Sequence, residues 1–398
     1  MVQRWCPMIR VAFLINFSDR LLGSLNYFRN LLEALYSLEN RRIEPVIITG
    51  NFCDSMLSKD FPTTEIIKTS MLNRKSLTWL IHKMSQTIFA RDLVMERLLR
   101  RNRISVLSHS GSLGRGAQVK TIGWIPDFQH KHLPNLFSKT ELILRDRMHK
   151  ELCANCTRLL VSSHNALNDL RNFHPNCAAK THVLQFVAGP LHVSNPMSSQ
   201  ELEEKYEFKG PYFHLPNQFW IHKNHIVIIK ALHILKARGL DTLVIATGKT
   251  SDHRQPEHFN NLKSLIEKYG LTNNFLILGV IPYNALVSLM RSSLALINPS
   301  LFEGWSSTVE EAKSLGKRVI LSDIPIHREQ NPPTGLFFTP HNPEELANIM
   351  EKVMLNHDPA EDESIVVSAG EALPVRKTAF AENYQNLVLS LFSGTRTD

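Results

Sequence analysis

"SLFEGWSSTVEEAKSLGKRVILSD" occupies residues 300–323. Two glutamates, Glu303 and Glu311, stand eight positions apart, with Ser306, Ser307 and Thr308 between them. The stretch reads as a polar loop, a helix that stops at Gly316, and a short apolar strand, "RVILSD". Ser307 with Glu310 forms one capping-box register, and Thr308 with Glu311 the other; only one can be used. With Ser307 as the cap, Glu310 folds back and Glu311 is left facing outward. Neither register accounts for Glu303 on the preceding loop.

Working outward, the same alternation of strand and helix recurs. Upstream, "YFHLP" and "TLVIAT" read as strands, as do "NFLILG" and "LALINPS". Between them "KNHIVIIKALHILKARG", "HFNNLKSLIEKYG" and "NALVSLMRSS" have helical spacing, the first two ending at glycine. Downstream, "NPEELANIMEKVML" and "TAFAENYQNLVLSLFSG" read as helices. The first half repeats the theme: strands at "IRVAFLI", "PVIIT", "ISVLS", "KTIGWI", "RLLVSS" and "THVLQF", with a helix at "LNYFRNLLEALYSLE" and another around residues 139–153. Residues 189–209 mix Pro, Ser and Asn with "QELEEKYEFK" and read as a linker. The fold class is α/β, with two doubly wound domains at 1–190 and 210–375. In such sheets ligands gather outside the carboxyl ends of the strands. That places the loops after Ile15, Ile125, Ser163, Pro216, Thr247, Leu278 and Pro299 near one another in space.

Bulk composition narrows the chemistry. The 398 residues carry 45 Lys and Arg against 37 Asp and Glu, a net charge of +8 that is dispersed along the chain. No basic stripe or nucleic-acid reading motif appears, so no nucleic-acid partner is expected. The excess suits anionic small molecules, or a face that meets anionic lipid. Five cysteines, an odd count, argue against a disulfide framework, and Cys153 and Cys156 read as two small residues in a helix. No secretory signal is visible and no apolar run approaches the ~20 residues that span a bilayer. The expected location is cytoplasmic, with peripheral attachment at the inner face of the membrane as the alternative.

At a helix start, open N–H groups attract phosphate, whereas carboxylates accept hydrogen bonds from sugar hydroxyls. Phosphate on amides, flanked by carboxylates that hold hydroxyls, describes a nucleotide sugar. On the same residues, "PSLFEGWSSTVEEAKSLGKRVILSD" resembles the E-x7-E segment of family 4 retaining GT-B glycosyltransferases (glycosyl transferases group 1). Glu303 and Glu311 match its two glutamates, and Gly304, Ala312, Gly316, Val319 and Asp323 fall where the family often has small residues, glycines and a final aspartate. The upstream "LILGVIPYNALVSLMRSSLALINPS" follows the same pattern. Over the first half the likeness rests on "GSLNYFRNLLEAL", "GWIPDFQH" and "RLLVSS".

The resemblance implies two Rossmann-like domains facing a central cleft, with a C-terminal helix near 378–393 packed back on the first. It implies a hexosyltransferase that moves a sugar from a nucleoside diphosphate sugar to an acceptor hydroxyl with retention. No metal or other cofactor is implied beyond the donor itself. The acceptor implied is a glycan or a lipid-linked acceptor, in surface polysaccharide or lipid-linked oligosaccharide synthesis. Lys223 matches the family's phosphate-binding lysine, while the preceding arginine position falls on Asn217 or Gln218, with His222 or His225 as partial substitutes. By the same likeness Glu303 holds the sugar, Glu311 holds the ribose, and Ser306, Ser307 and Thr308 offer amides to the diphosphate. Gly23, on the loop after the first strand, lies near donor phosphate, and Asp127 and His130 are candidates for acceptor and sugar contacts. A different GT-B enzyme (epimerase or phosphorylase) and an inactive sugar-nucleotide-binding protein are the alternative readings.

Two patterns are set aside. Gly248-Lys249-Thr250 lacks the earlier glycine of a phosphate loop, because position 243 is Leu243. Gly111, Gly114 and Gly116 read G-x-x-G-x-G and are taken as an ordinary flexible loop.

Overall fold

Short apolar runs bounded by polar turns become strands covered on both faces, and the amphipathic runs between them become the covering helices. The computed structural model describes residues 8–15, 22–51, 54–189, 195–252 and 254–393. The first seven strands are β1 (Ile9–Leu14), β2 (Ile43–Thr49), β3 (Glu65–Lys68), β4 (Val106–Ser110), β5 (Lys120–Ile125), β6 (Arg158–Val161) and β7 (Thr181–Val183). Six more follow: β8 (Tyr212–Leu215), β9 (Leu243–Thr247), β10 (Phe275–Gly279), β11 (Leu296–Asn298), β12 (Val319–Ser322) and β13 (Gly335–Phe338). The first seven helices are α1 (Leu22–Tyr36), α2 (Asp54–Asp60), α3 (Leu77–Phe89), α4 (Leu93–Arg101), α5 (Gln129–His132), α6 (Lys139–Asn155) and α7 (His164–Phe173). The rest are α8 (Ser199–Tyr206), α9 (His225–Ala237), α10 (His258–Lys268), α11 (Tyr283–Ser292), α12 (Ser307–Leu315), α13 (Pro325–Gln330), α14 (Pro343–Leu355) and α15 (Pro359–Ser390).

The chain forms two units. One comprises 1–128, 138–187 and 376–398; the other comprises 129–137 and 188–375. In the first, seven strands run in the order β3-β2-β1-β4-β5-β6-β7, all neighbours parallel. Ala12, Val46, Ile48 and Leu107 pack on one side with Met95 and Leu99 of α4. The end of α15 belongs to this unit, where the Tyr384 hydroxyl donates to Ser108 Oγ at 2.8 Å and Gln385 Oε1 accepts the Arg42 N–H at 2.7 Å. Pro374 lies inside α15, one residue before the end of the second unit's run.

In the second unit the order is β10-β9-β8-β11-β12-β13, again parallel. The strand order reverses between β8 and β11, which pair through Leu296 and His214. At such a switch point the two outgoing loops splay apart and leave room for a ligand. The loops after β8 and β11 carry Lys223 and Glu303.

Four sequence expectations change. Residues 199–206 are helix α8 rather than linker, closed by a Ser198–Glu201 capping box. Strands β3 and β13 are additional; "EIIK" and "GLFF" are too short to carry a period. Gly23 is the second residue of α1 rather than part of the preceding loop. Gly114 is not an ordinary loop residue: at φ +87° it lies against the backbone of α3's end, where a Cβ would stand 2.1 Å from the Ala90 carbonyl oxygen. Among the described residues, no helix is long and apolar enough to cross a membrane.

Candidate active site

The site is built on helix α12. Ser306 is its N-cap, with Oγ accepting from the Val309 N–H at 3.4 Å, so neither capping box is used. Val309, Ala312 and Leu315 face the core beside Val319 and Leu321, and Gly316 ends the helix in the left-handed conformation. Gln330, at the end of α13, clamps the cap from outside. Its Oε1 accepts the Ser306 N–H at 3.0 Å, and its Nε2 donates to the Ser306 carbonyl at 2.9 Å. Ser306 is thus spent on structure, and the amide it was expected to offer is occupied. The N–H groups of Ser307 and Thr308 have no partner among the described residues.

Beneath the cap runs a buried polar network. Asn298, at the end of β11, donates to Ser306 Oγ at 2.8 Å and accepts from Ser300 at 2.7 Å. Asn217 donates to the same Asn298 carbonyl at 3.3 Å. Of the two candidates for the missing arginine, Asn217 is therefore committed to holding the loops together. Gln218 is only half-buried, and its side-chain amide has no partner among the described residues. Gly248, from the rejected phosphate-loop pattern, has a packing role instead. At φ +136° it lies against this loop, where a Cβ would come within 2.6 Å of the Asn217 carbonyl oxygen.

Lys223 and Glu303, read separately in the sequence, come together: Nζ donates to Oε1 at 2.5 Å, and both side chains are largely covered. The loops that carry them are also joined by the Leu301 N–H on the His222 carbonyl at 2.8 Å. Burial pushes the Glu303 carboxyl up, but the Lys223 ammonium, His327 and hydrogen bonds from Lys223 and Ser300 outweigh it and hold it at about 2. Glu311 is the opposite case. It is half-buried, makes no hydrogen bond or ion pair among the described residues, and burial alone pushes its carboxyl up to about 7. Its neighbour Glu310 is fully engaged with Lys313 at 3.2 Å and Gln330 at 3.1 Å.

His222 and His225 do not replace the missing cation. Burial, followed by smaller effects including the nearby Lys223 charge, lowers both to about 3, so each is neutral at physiological pH. Sequence reading missed a different cation. The Arg254 guanidinium, on the loop after β9, lies 5.6 Å from the Trp220 ring centroid and 5.2 Å from that of Phe137. Nη1 donates to Gln129 Oε1 at 3.2 Å, and Nε lies 3.5 Å from Asp252. Thirty-one positions separate Arg254 from Lys223, and no sequence period links them.

Asp127 and His130 fall in different units. Asp127 lies 4.0 Å from Arg145, while His130 is buried in α5 with its ring against Phe137. The Cys153 and Cys156 thiols are free and pushed by burial to about 12 and about 11, which leaves them protonated and unreactive. Among the described residues, no group of three or more His, Cys, Asp or Glu is arranged to hold a metal ion.

Comparison with known proteins bears on the fold. Residues 199–366 match the family described as glycosyl transferases group 1. No curated protein matches the sequence at a significant level. A glycosyltransferase from Rickettsia africae ESF-5 is similar in structure at TM-score 0.67 and 17% identity, over 98% of this chain and all (100%) of that one. Anabaena HepE, in complex with UDP and glucose, gives 0.68 and 16% over 96% and 100%. WaaG, a glycosyltransferase involved in lipopolysaccharide biosynthesis, gives 0.58 and 16% over 97% and 100%. The chain resembles the group 1 glycosyltransferases and has their GT-B type of α/β fold.

Proposed function

We propose that this protein moves a sugar from a nucleoside diphosphate sugar to an acceptor hydroxyl, retaining the anomeric configuration. The observation that carries the reading is Glu311. A half-buried carboxylate with no donor among the described residues is costly to the fold unless a ligand supplies hydroxyls. It stands one turn inside a helix whose first amides, on Ser307 and Thr308, are also open. A ribose on Glu311 with a diphosphate on those amides satisfies both at once.

The rest of the site follows from charge. Bond breaking at the anomeric carbon leaves negative charge on the diphosphate, which needs positive potential fixed in place. Lys223, Arg254, the Gln218 amide and the start of α12 supply it, and no resident cofactor is required by the scheme. Glu303, kept ionised by Lys223, orients the sugar hydroxyls. Retention follows from attack on the face the phosphate leaves, with the departing phosphate oxygen taking the acceptor proton. The acceptor class is a glycan or a lipid-linked saccharide, a reading supported by the likeness to WaaG. Action at the cytoplasmic side of a membrane belongs to the same proposal.

Isothermal titration with UDP and GDP, below and above the Glu311 pKa of about 7, tests the reading. Hydroxyls bind the ionised carboxylate, so nucleotide binding releases a proton below that pH and tightens as pH rises through it. Glu311→Gln loses both effects. Unchanged affinity and unchanged proton release in that variant overturn the assignment.

A further inference from the structure

Helix α3 is built inside out. Its buried residues are polar: His82 Nδ1 lies 3.0 Å from Asp92 and Ser85 donates to the Arg91 carbonyl at 3.3 Å, while the half-buried Gln86 donates to Asp92 at 2.8 Å. Its outward residues are Leu77, Leu80, Ile81, Met84 and Ile88, spaced by three and four so that they form one stripe, each between 46% and 74% exposed. The usual pattern, with the apolar face on the core, is reversed. A continuous apolar stripe left in water marks a contact surface rather than a folding requirement.

Beside it lies a basic recess. The stripe's end is followed by Phe89, also exposed, and two residues later Arg91 opens a concavity of about 530 Å³. Arg91, Leu93, Glu96, Arg97, Arg100 and Arg101 line it. Glu96 is consumed by a two-pronged bond from Arg91, both distances 2.9 Å. Arg97, Arg100 and Arg101 are exposed and make no side-chain hydrogen bond or ion pair among the described residues. Over residues 73–103 there are eight Lys and Arg, and the acidic residues are Asp92 and Glu96, both already bonded.

From this juxtaposition we propose that α3 and the α4 arginine recess together dock the first unit on a membrane surface that carries anionic lipid. The stripe enters the boundary between headgroups and acyl chains, and the unpaired guanidinium groups take lipid phosphates. A second copy of the chain is the poorer occupant: in a two-fold contact, one cationic surface would face another. The proposal goes beyond the transfer reaction and is tested without donor.

The test is co-sedimentation of the full chain with vesicles of phosphatidylcholine alone or mixed with phosphatidylglycerol. Binding is expected to the mixed vesicles and to weaken with salt. Each surface cation strengthens such binding by about fivefold, so R97Q/R100Q/R101Q is expected to lose about a hundredfold on mixed vesicles. I81S/I88S removes buried apolar area and is expected to lose at least about tenfold. Both variants change exposed side chains, so thermal unfolding should match the parent; a matched melt shows that a loss of binding is not a loss of fold. Failure of the parent to bind mixed vesicles, or equal binding by parent and both variants, overturns the proposal. So does a concentration-dependent dimer that I81S/I88S dissolves, because the stripe then belongs to a second copy.

Discussion

Glu303 and Glu311 flank one loop-to-helix junction, and the fold treats them in opposite ways. Glu303 meets an ammonium and is held at about 2; Glu311 meets no donor among the described residues and is pushed to about 7. The ordinary value for both is 4.5. The signs of their effects on stability therefore differ. Glu303, depressed, stabilises the fold above pH 4.5, and that contribution is lost as pH falls toward 2. Glu311, raised, has no cost below 4.5 and destabilises increasingly as pH rises from there through 7. A carboxylate that the fold supplies with partners supports the fold. One left without partners is a standing cost, which the hydroxyls of the proposed donor would relieve.

The largest test breaks the paired side. Glu303→Ala leaves Lys223 covered and alone, and is expected to lower turnover by roughly 10²–10³ and stability by about 3 kcal/mol. Urea unfolding and a donor-turnover assay read the two separately. Adding Lys223→Met to Glu303→Gln should recover most of the stability, because no lone charge remains, but none of the turnover. If turnover recovers too, the pair is structural and the assignment of Glu303 to sugar binding falls.

Next in size is the unpaired side. Glu311→Gln keeps shape and removes the charge. Above pH 7 the ligand-free variant should be more stable than the parent, by up to about 3 kcal/mol from the shift of the carboxyl from 4.5 to about 7. Below pH 4.5 the two should unfold together. Nucleotide affinity should fall by roughly 10- to 100-fold, since hydrogen bonds to a charged acceptor contribute about 1.5–3 kcal/mol. A thermal melt in a pH series distinguishes this from a general loss: stabilisation without ligand and weakening with it must appear together.

How much of this was legible in the sequence follows from what is local. The stop signal at Gly316, the apolar runs of β8 to β12 and the glutamate spacing are set by neighbours within a few positions, and they put Glu303 on the loop before α12 and Glu311 inside the helix. The choice of Ser306 over Ser307 as cap was not legible, because it is decided by Gln330 and Asn298, 24 and 8 residues away. Nor was the fate of Asn217 and Gln218. Adjacent in sequence and alike in chemistry, they part only because the switch point buries one against Asn298. The inverted face of α3 was written in the order of its residues, but with no sign of which side met the rest of the unit.

A smaller effect is expected from Arg254→Gln. The guanidinium lies over Trp220, three residues before Lys223, and is assigned to the diphosphate. Losing one charge-assisted bond should weaken UDP by about tenfold and the nucleoside monophosphate less. Equal weakening of both ligands removes Arg254 from the diphosphate and returns it to loop packing between Phe137 and Trp220.

The smallest effect sharpens the contrast most. Ser306 was read from the sequence as part of the donor site, yet its amide is bonded to Gln330 and its hydroxyl to Val309 and Asn298. Ser306→Ala removes the cap hydroxyl, which should cost about 1 kcal/mol of stability. Gln330 still grips the Ser306 backbone from both sides, so the loop should keep its position and the amides of Ser307 and Thr308 their aim. Nucleotide affinity should then change by less than about twofold, within the scatter of substitutions that touch no ligand. If affinity instead falls as far as in Glu311→Gln, the hydroxyl contacts the donor. The division between groups spent on the fold and groups left open for the ligand would then have been drawn one residue too late.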